Sequence, residues 1–262
     1  MRLGRSRIRA GLAFCAAIGF AAAPAATTGL AAAQLNVRAF SAGLSYEYLS
    51  RTVVWNGDTN ASRLSASLVT ARADFEFDNG IVFSLSTGLA PTDVAALTFN
   101  TLPISLQYDG APLTGFVFGA EAFVPVHRYS DLEISGMGRF VYSFGMEKTW
   151  PLEDFAIEGE AKGSTSWLEA AIGGRVSYLS FERIIPFLEI SVRWLHAGFE
   201  MTETLGDLGG NETKRVDDLS FGIALGADAD LSDRLGIRAK AGIVPYSGGV
   251  DGLVSVGLLY KF

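Results

Sequence analysis

The stretch Val254-Ser255-Val256-Gly257-Leu258-Leu259-Tyr260-Lys261-Phe262 at the C-terminus decides the fold class. A strand sends successive side chains to opposite faces. Val254, Val256, Leu258, Tyr260 and Phe262 therefore share one face, and Ser255, Gly257 and Lys261 share the other, with Leu259 as the exception. One face is apolar and aromatic; the other is small or polar.

Upstream, the same alternation recurs. Phe40, Ala42, Leu44, Tyr46 and Tyr48 interleave with Ser41, Gly43, Ser45 and Glu47. Comparable segments run over 71–77, 81–89, 116–122, 132–144, 168–178, 188–194, 219–226 and 235–243, about ten in all. Short connections, such as Asp78-Asn79-Gly80 and those near 127–131, 180–183 and 230–233, alternate with longer ones near 54–62, 90–114, 149–163 and 202–215. Asn-Gly suits a turn that needs positive φ. Residues 103–108 read as a continuation of the third strand, with 90–102 an insertion. The segment 245–251 reads as a connection of intermediate length. An additional hairpin would give twelve strands, and merging weak strands would give eight.

The residues opposite the apolar stripe separate a membrane barrel from a soluble sandwich. They include Glu47, Arg72, Asp74, Glu76, Glu121, Glu133, Arg139, Glu169, Arg175, Glu189, Arg193, Arg238 and Lys240, interleaved with Gly, Ser and Ala. Small residues mixed with charges of both signs suit a narrow interior. In lipid every backbone polar group needs a partner, and only a closed barrel satisfies a sheet there. Aromatics near the stripe ends, such as Tyr46, Tyr48, Tyr142, Phe144, Tyr178, Trp194 and Tyr260, suit interfacial girdles. The expectation is an all-β, antiparallel, up-and-down transmembrane β-barrel of about ten strands.

Arg2, Arg5, Arg7 and Arg9 precede an apolar stretch and Ala31-Ala32-Ala33, the arrangement of a cleaved signal peptide. Residues 1–33 are thus expected to be a leader and 34–262 the barrel domain. The chain has 262 residues, 49% hydrophobic, with a mean hydropathy of +0.27, and beyond the leader no apolar run is long enough for a spanning helix. Without the leader, seventeen basic residues face 28 acidic ones, a formal charge of −11. That balance argues against nucleic acid, whose phosphates require clustered Lys and Arg. Cys15 is the single cysteine and lies in the leader, so no disulfide framework is expected. No spacing points to a cofactor or structural metal. The stretch Gly206–Glu212 offers oxygen ligands but not the regular order of a calcium loop, and reads as a solvated loop.

The C-terminal Tyr260-Lys261-Phe262, closing an alternating strand, resembles the assembly signal of Gram-negative outer-membrane β-barrel proteins. The small barrels related to OmpA and OmpX are the nearest in style. That resemblance implies export, insertion by the barrel assembly machinery through Val254, Val256, Leu258, Tyr260 and Phe262, and outer-membrane lipid and lipopolysaccharide as partners. The charged interior positions and the absence of a convincing catalytic set lead to the expectation of a non-enzymatic barrel with a narrow or closed charged lumen, serving envelope structure, surface contact or limited solute passage. Three alternatives stand beside it. A small-solute channel would depend on lumen charges such as Arg139 and Arg193. A rim hydrolase would use His196 with Glu200, Asp217 and Asp218, although the spacing does not reproduce the motif of the omptin proteases. An adhesin would act through loop 90–113, where Val94, Ala95, Ala96, Leu97 and Phe99 either plug the mouth or form a contact surface.

Overall fold

The computed structural model describes residues 36–58, 60–95, 97–99, 106–108, 112–152, 159–246 and 249–262. The expected leader, Ala96 and the acidic residues Glu153, Asp154 and Glu158 lie outside them. Thirteen strands follow in order: β1 (Val37–Val54), β2 (Ala61–Phe77), β3 (Val82–Ala95), β4 (Leu97–Phe99), β5 (Leu106–Tyr108), β6 (Leu113–Tyr129), β7 (Leu132–Gly145), β8 (Lys148–Pro151), β9 (Gly159–Tyr178), β10 (Ile184–Leu205), β11 (Leu208–Asp230), β12 (Leu235–Tyr246) and β13 (Gly249–Lys261). Ten of them close a ring, each pairing antiparallel with the next: β1, β2, β3, β6, β7, β9, β10, β11, β12, β13 and back to β1. Short β8 extends the line of β7 along β9, and β4 pairs with β5 in a separate hairpin.

Both ends of the ring strands meet at one rim, the terminal end. There Phe262 N donates to Phe40 O at 3.0 Å. The turns at that rim are tight. Gly80 has φ +79°, and its N–H donates to Phe77 O at 2.8 Å, as the Asp-Asn-Gly sequence demands. Val254, Val256, Leu258, Tyr260 and Phe262 all point outward and are exposed, in a band continued by Leu44, Val69, Leu85, Phe118, Ile172, Ile190, Leu219 and Leu225. Singly exposed apolar residues are ordinary. A continuous apolar belt around a closed ring is a surface built for hydrocarbon.

At the opposite rim, the hairpin end, the strands run on past the belt. β12 pairs with β11 only as far as Ile223↔Ile243 and turns back into β13. Above that hairpin the turn after β1 meets β11, with Asn56 N donating to Arg215 O at 2.8 Å. The interior toward this end holds Leu49, Val53, Trp55, Leu64, Leu97, Phe99, Leu113, Trp167, Leu195, Phe199 and Met201, all buried in one cluster.

Several connections differ from the sequence reading. Within 149–163, residues 149–151 and 159–163 are strand and 153–158 lie outside the described residues; 202–215 is strand apart from Gly206-Asp207, which joins β10 to β11. Within the intermediate connection 245–251, Pro245 pairs with Val250 and Tyr246 with Gly249. Ala90–Ala95 continue β3, whereas Leu106–Tyr108 pair with Leu97–Phe99. The cause is a change of phase. In β10, Leu188, Ile190, Val192 and Trp194 face out; beyond Trp194 the apolar residues Leu195, Ala197, Phe199 and Met201 face in. Outward positions become His196, Gly198, Glu200, Thr202 and Thr204. A reader following one apolar stripe loses it at that step and reads a loop.

Candidate functional site

The lumen at belt level is filled by ions. Arg72 donates from Nε to Asp74 at 2.7 Å and from Nη2 to Glu121 at 2.9 Å. Lys240 lies 3.7 Å from Glu121 and 3.3 Å from Glu189. Arg175 reaches Glu189 at 2.5 Å and Asp228 at 3.3 Å. Arg238 reaches Asp228 at 2.5 Å and returns to Asp74 at 3.6 Å. The circuit Asp74–Arg72–Glu121–Lys240–Glu189–Arg175–Asp228–Arg238 closes on itself with strictly alternating sign. Every member has an opposite charge on each side, the condition under which buried ions are tolerated despite their desolvation. Five planar guanidinium contacts of 3.3 Å or less hold its geometry.

Two further pairs stand nearer the hairpin end: Arg139 with Glu47, and Arg193 with Glu169 at 2.5 Å. A cavity of about 40 Å³ remains among Arg72, Glu121, Arg139, Arg238 and Lys240, room for about one or two waters. Glu121 Oε1 and Arg238 Nη1 have no hydrogen-bond partner and line the same residues.

Toward the terminal end the lumen opens into a vestibule of about 680 Å³. Arg175 forms part of its floor, its guanidinium 3.9 Å from the ring centres of both Phe123 and Phe187. Glu76 and Glu133 line this mouth, half-exposed, beside Arg38 at 3.5 Å and Arg128 at 3.9 Å. Of the thirteen lumen charges expected from the sequence, these two sit at the rim and the other eleven within. Asp228 was missed: the alternation Ser220, Gly222, Ala224, Gly226 reaches it two residues later, but the sequence reading ended that strand at Gly226.

Toward the hairpin end the path meets the apolar cluster. Trp167 Nε1 donates to Thr92 Oγ1 at 3.0 Å, which anchors the indole across the barrel. Phe99 packs on Phe199 with ring centres 5.3 Å apart. Val94, Leu97 and Phe99 are at most 1% exposed. Of the five apolar residues singled out in loop 90–113, these three are packed inside, Ala95 is exposed, and Ala96 lies outside the described residues.

Side chains tie β1 and the turn after it to β11 and β13. Arg51 pairs with Asp218, Thr52 donates from N and Oγ1 to Asp251 at 2.6 and 2.9 Å, and Lys214 reaches Asp58 at 2.7 Å and Glu212 at 3.0 Å. Burial works against the Lys214 charge, yet its bonds to Asp58 and Glu212 hold the ammonium above its ordinary pKa. Asp218, expected at the rim beside His196, faces inward instead. His196 faces outward, its Nδ1 2.8 Å from Asp217, with both side chains exposed. Glu200 lies on the same outer face two positions farther on. No third reacting group is bonded to this pair among the described residues, and among them no three acids or imidazoles gather as a metal site.

No family model matches the sequence, and no curated protein does. Solved structures do. The chain is similar to the outer membrane protease OmpT of Escherichia coli, at 10% identity over 87% of this chain and 98% of that one, with a TM-score of 0.52. It is also similar to the translocator domain of the autotransporter NalP of Neisseria meningitidis, at 11% identity over 87% and 90%, TM-score 0.49. Outer membrane protein AlkL follows at 13% identity over 92% and 95%, TM-score 0.40. At these identities the likeness is one of fold: the chain has the fold of the outer-membrane β-barrel proteins.

Proposed function

We propose that this chain is a non-conducting, non-enzymatic outer-membrane barrel that anchors a rigid β-extension outside the cell. The terminal end, where both ends of the described chain lie, faces the periplasm, and the hairpin end, where the strands run on past the apolar belt, faces out. On this reading residues 1–33 direct export, and the C-terminal face of β13 engages the assembly machinery. Lipopolysaccharide meets the polar outer surface above Trp194. The activity of the molecule then resides on the outside of the extension, as envelope support or surface contact.

One observation carries this reading: the lumen is occupied along its length, by the alternating ionic circuit at belt level and the apolar cluster beyond it. A solute entering the vestibule meets paired ions first and then the apolar cluster around Trp167 and Phe199. The test is planar-bilayer recording on refolded residues 34–262, with folding verified by heat-dependent gel mobility and insertion by co-flotation with vesicles. The expected record is flat. Discrete conductance steps from folded, inserted protein would overturn the closed-lumen reading and favour a channel.

A further inference from the structure

We infer that the interior of the extension binds one divalent, oxygen-preferring cation between Glu203 and Glu212, beside the β10–β11 hairpin. Glu203 is 0% exposed, and neither of its carboxylate oxygens has a hydrogen-bond partner among the described residues. A carboxylate without partners is among the costliest groups to bury. Elsewhere in the lumen, every other buried acid among the described residues is answered: the circuit alternates, Glu47 has Arg139, Glu169 has Arg193, and Asp251 accepts two hydrogen bonds from Thr52.

The register shows what it faces. Met201 pairs with Glu212 and Glu203 with Gly210, so Glu203 and Glu212 are diagonal neighbours on the inner face. Such neighbours lie about 7–8 Å apart at the backbone, a span two glutamate side chains can close on one ion. Lys214 stands on the same face two residues beyond Glu212, shared between Glu212 and Asp58. Glu212 and Asp58 are partly exposed, at 27% and 18% of their side chains, which gives the ion a way in. Burial and the nearby Glu212 both push the Glu203 pKa up, as repulsion without a counter-ion should. Carboxylate oxygens select calcium or magnesium, and with two carboxylates as direct ligands water completes the shell.

The experiment titrates calcium into the refolded full barrel in detergent free of lipopolysaccharide, followed by calorimetry and thermal unfolding. Wild type is expected to bind one calcium per chain and to unfold at higher temperature as calcium rises. Glu203→Gln should bind at least tenfold more weakly while keeping its folded gel mobility. Should that variant not fold, Glu212→Gln replaces it with the same expectation. Two results overturn the site. One is a wild type indifferent to calcium up to about 10 mM, beyond the roughly 10⁻⁴–10⁻³ M range of extracellular calcium modules; Glu203 is then simply protonated. The other is a variant that binds as tightly as wild type, which places the calcium on surface acids.

Discussion

Within β10, the segment Leu188–Trp194 and the segment Leu195–Glu203 share one geometry and opposite chemistry. Both alternate with period two, and both keep the same parity of inward and outward positions. In the first, Ile190 and Val192 face out while Glu189 and Arg193 face in. In the second, His196 and Glu200 face out while Leu195 and Phe199 face in. The strand does not change; its surroundings do. Hydrocarbon outside leaves polar groups to the lumen, and water outside reverses the arrangement. The step at Trp194–Leu195 marks the edge of the bilayer, with the indole at an interfacial depth that suits it. Below it the barrel is filled by paired charge, above it by an apolar core of the soluble kind.

The two fillings should fail differently, and the largest expected losses come from inside each. Glu169→Leu strands Arg193 without its partner and is expected to cost about 3–5 kcal/mol. Replacing both partners with apolar residues of matching volume should recover most of that loss, which urea titration of the refolded barrels would read. Phe199→Ala empties part of the upper core and should cost a similar 3–5 kcal/mol. It has no partner whose removal rescues it. If the paired replacement at Glu169 and Arg193 rescued nothing, the lower filling would be packing rather than ion pairing.

Outward positions sharpen the comparison at smaller magnitude. Ile190→Arg places a cation in hydrocarbon and should destabilise by about 2–4 kcal/mol near the bilayer middle. Thr202→Arg, on the same strand and face, should stay within about 0.5 kcal/mol. Equal costs at the two sites would erase the boundary between them.

The smallest effect concerns Glu203 in calcium-free buffer. Its folded pKa is raised, so the folded state holds its proton longer than the unfolded chain does. Stability from this group therefore falls as pH rises from about 4.3, the ordinary glutamate value, until the raised folded pKa is passed. Glu203→Gln should match wild type near pH 4 and exceed it at neutral pH by about 1–3 kcal/mol, the penalty of an unsatisfied buried group. A difference independent of pH would mean that the carboxyl is not the titrating group.

Much of the belt-level barrel was legible because its alternation is amphipathic in one sense throughout. Leu258, Tyr260 and Phe262 announce a face, and Glu47, Arg139 and Arg193 announce its opposite. The strand count, the tight turns and the closing strand follow from that. The extension was not legible, since its strands keep the period but exchange which parity is apolar. Leu49 after Tyr48 and Leu195 after Trp194 look like breaks in the pattern. Pairing was hidden too: nothing local to Lys240 says that it stands between Glu121 and Glu189, because those neighbours come from distant strands. Gly206-Asp207 carried a turn signal, yet Glu203, Glu212 and Lys214 around it read as solvated charge rather than as residues pointing inward.

The claim that the bilayer ends at Trp194 is the one on which the rest depends, and spin labelling tests it directly. Residues 34–262 contain no cysteine, so each introduced cysteine reports alone. Nitroxides at 188, 190, 192, 194, 196, 198, 200 and 202 in reconstituted bilayers would be probed by oxygen and by a water-soluble nickel chelate. The account predicts oxygen-dominated relaxation through 192, a crossover between 194 and 196, and chelate-dominated relaxation from 198 onward. Oxygen dominance continuing to 202, or chelate access at 190, would contradict it.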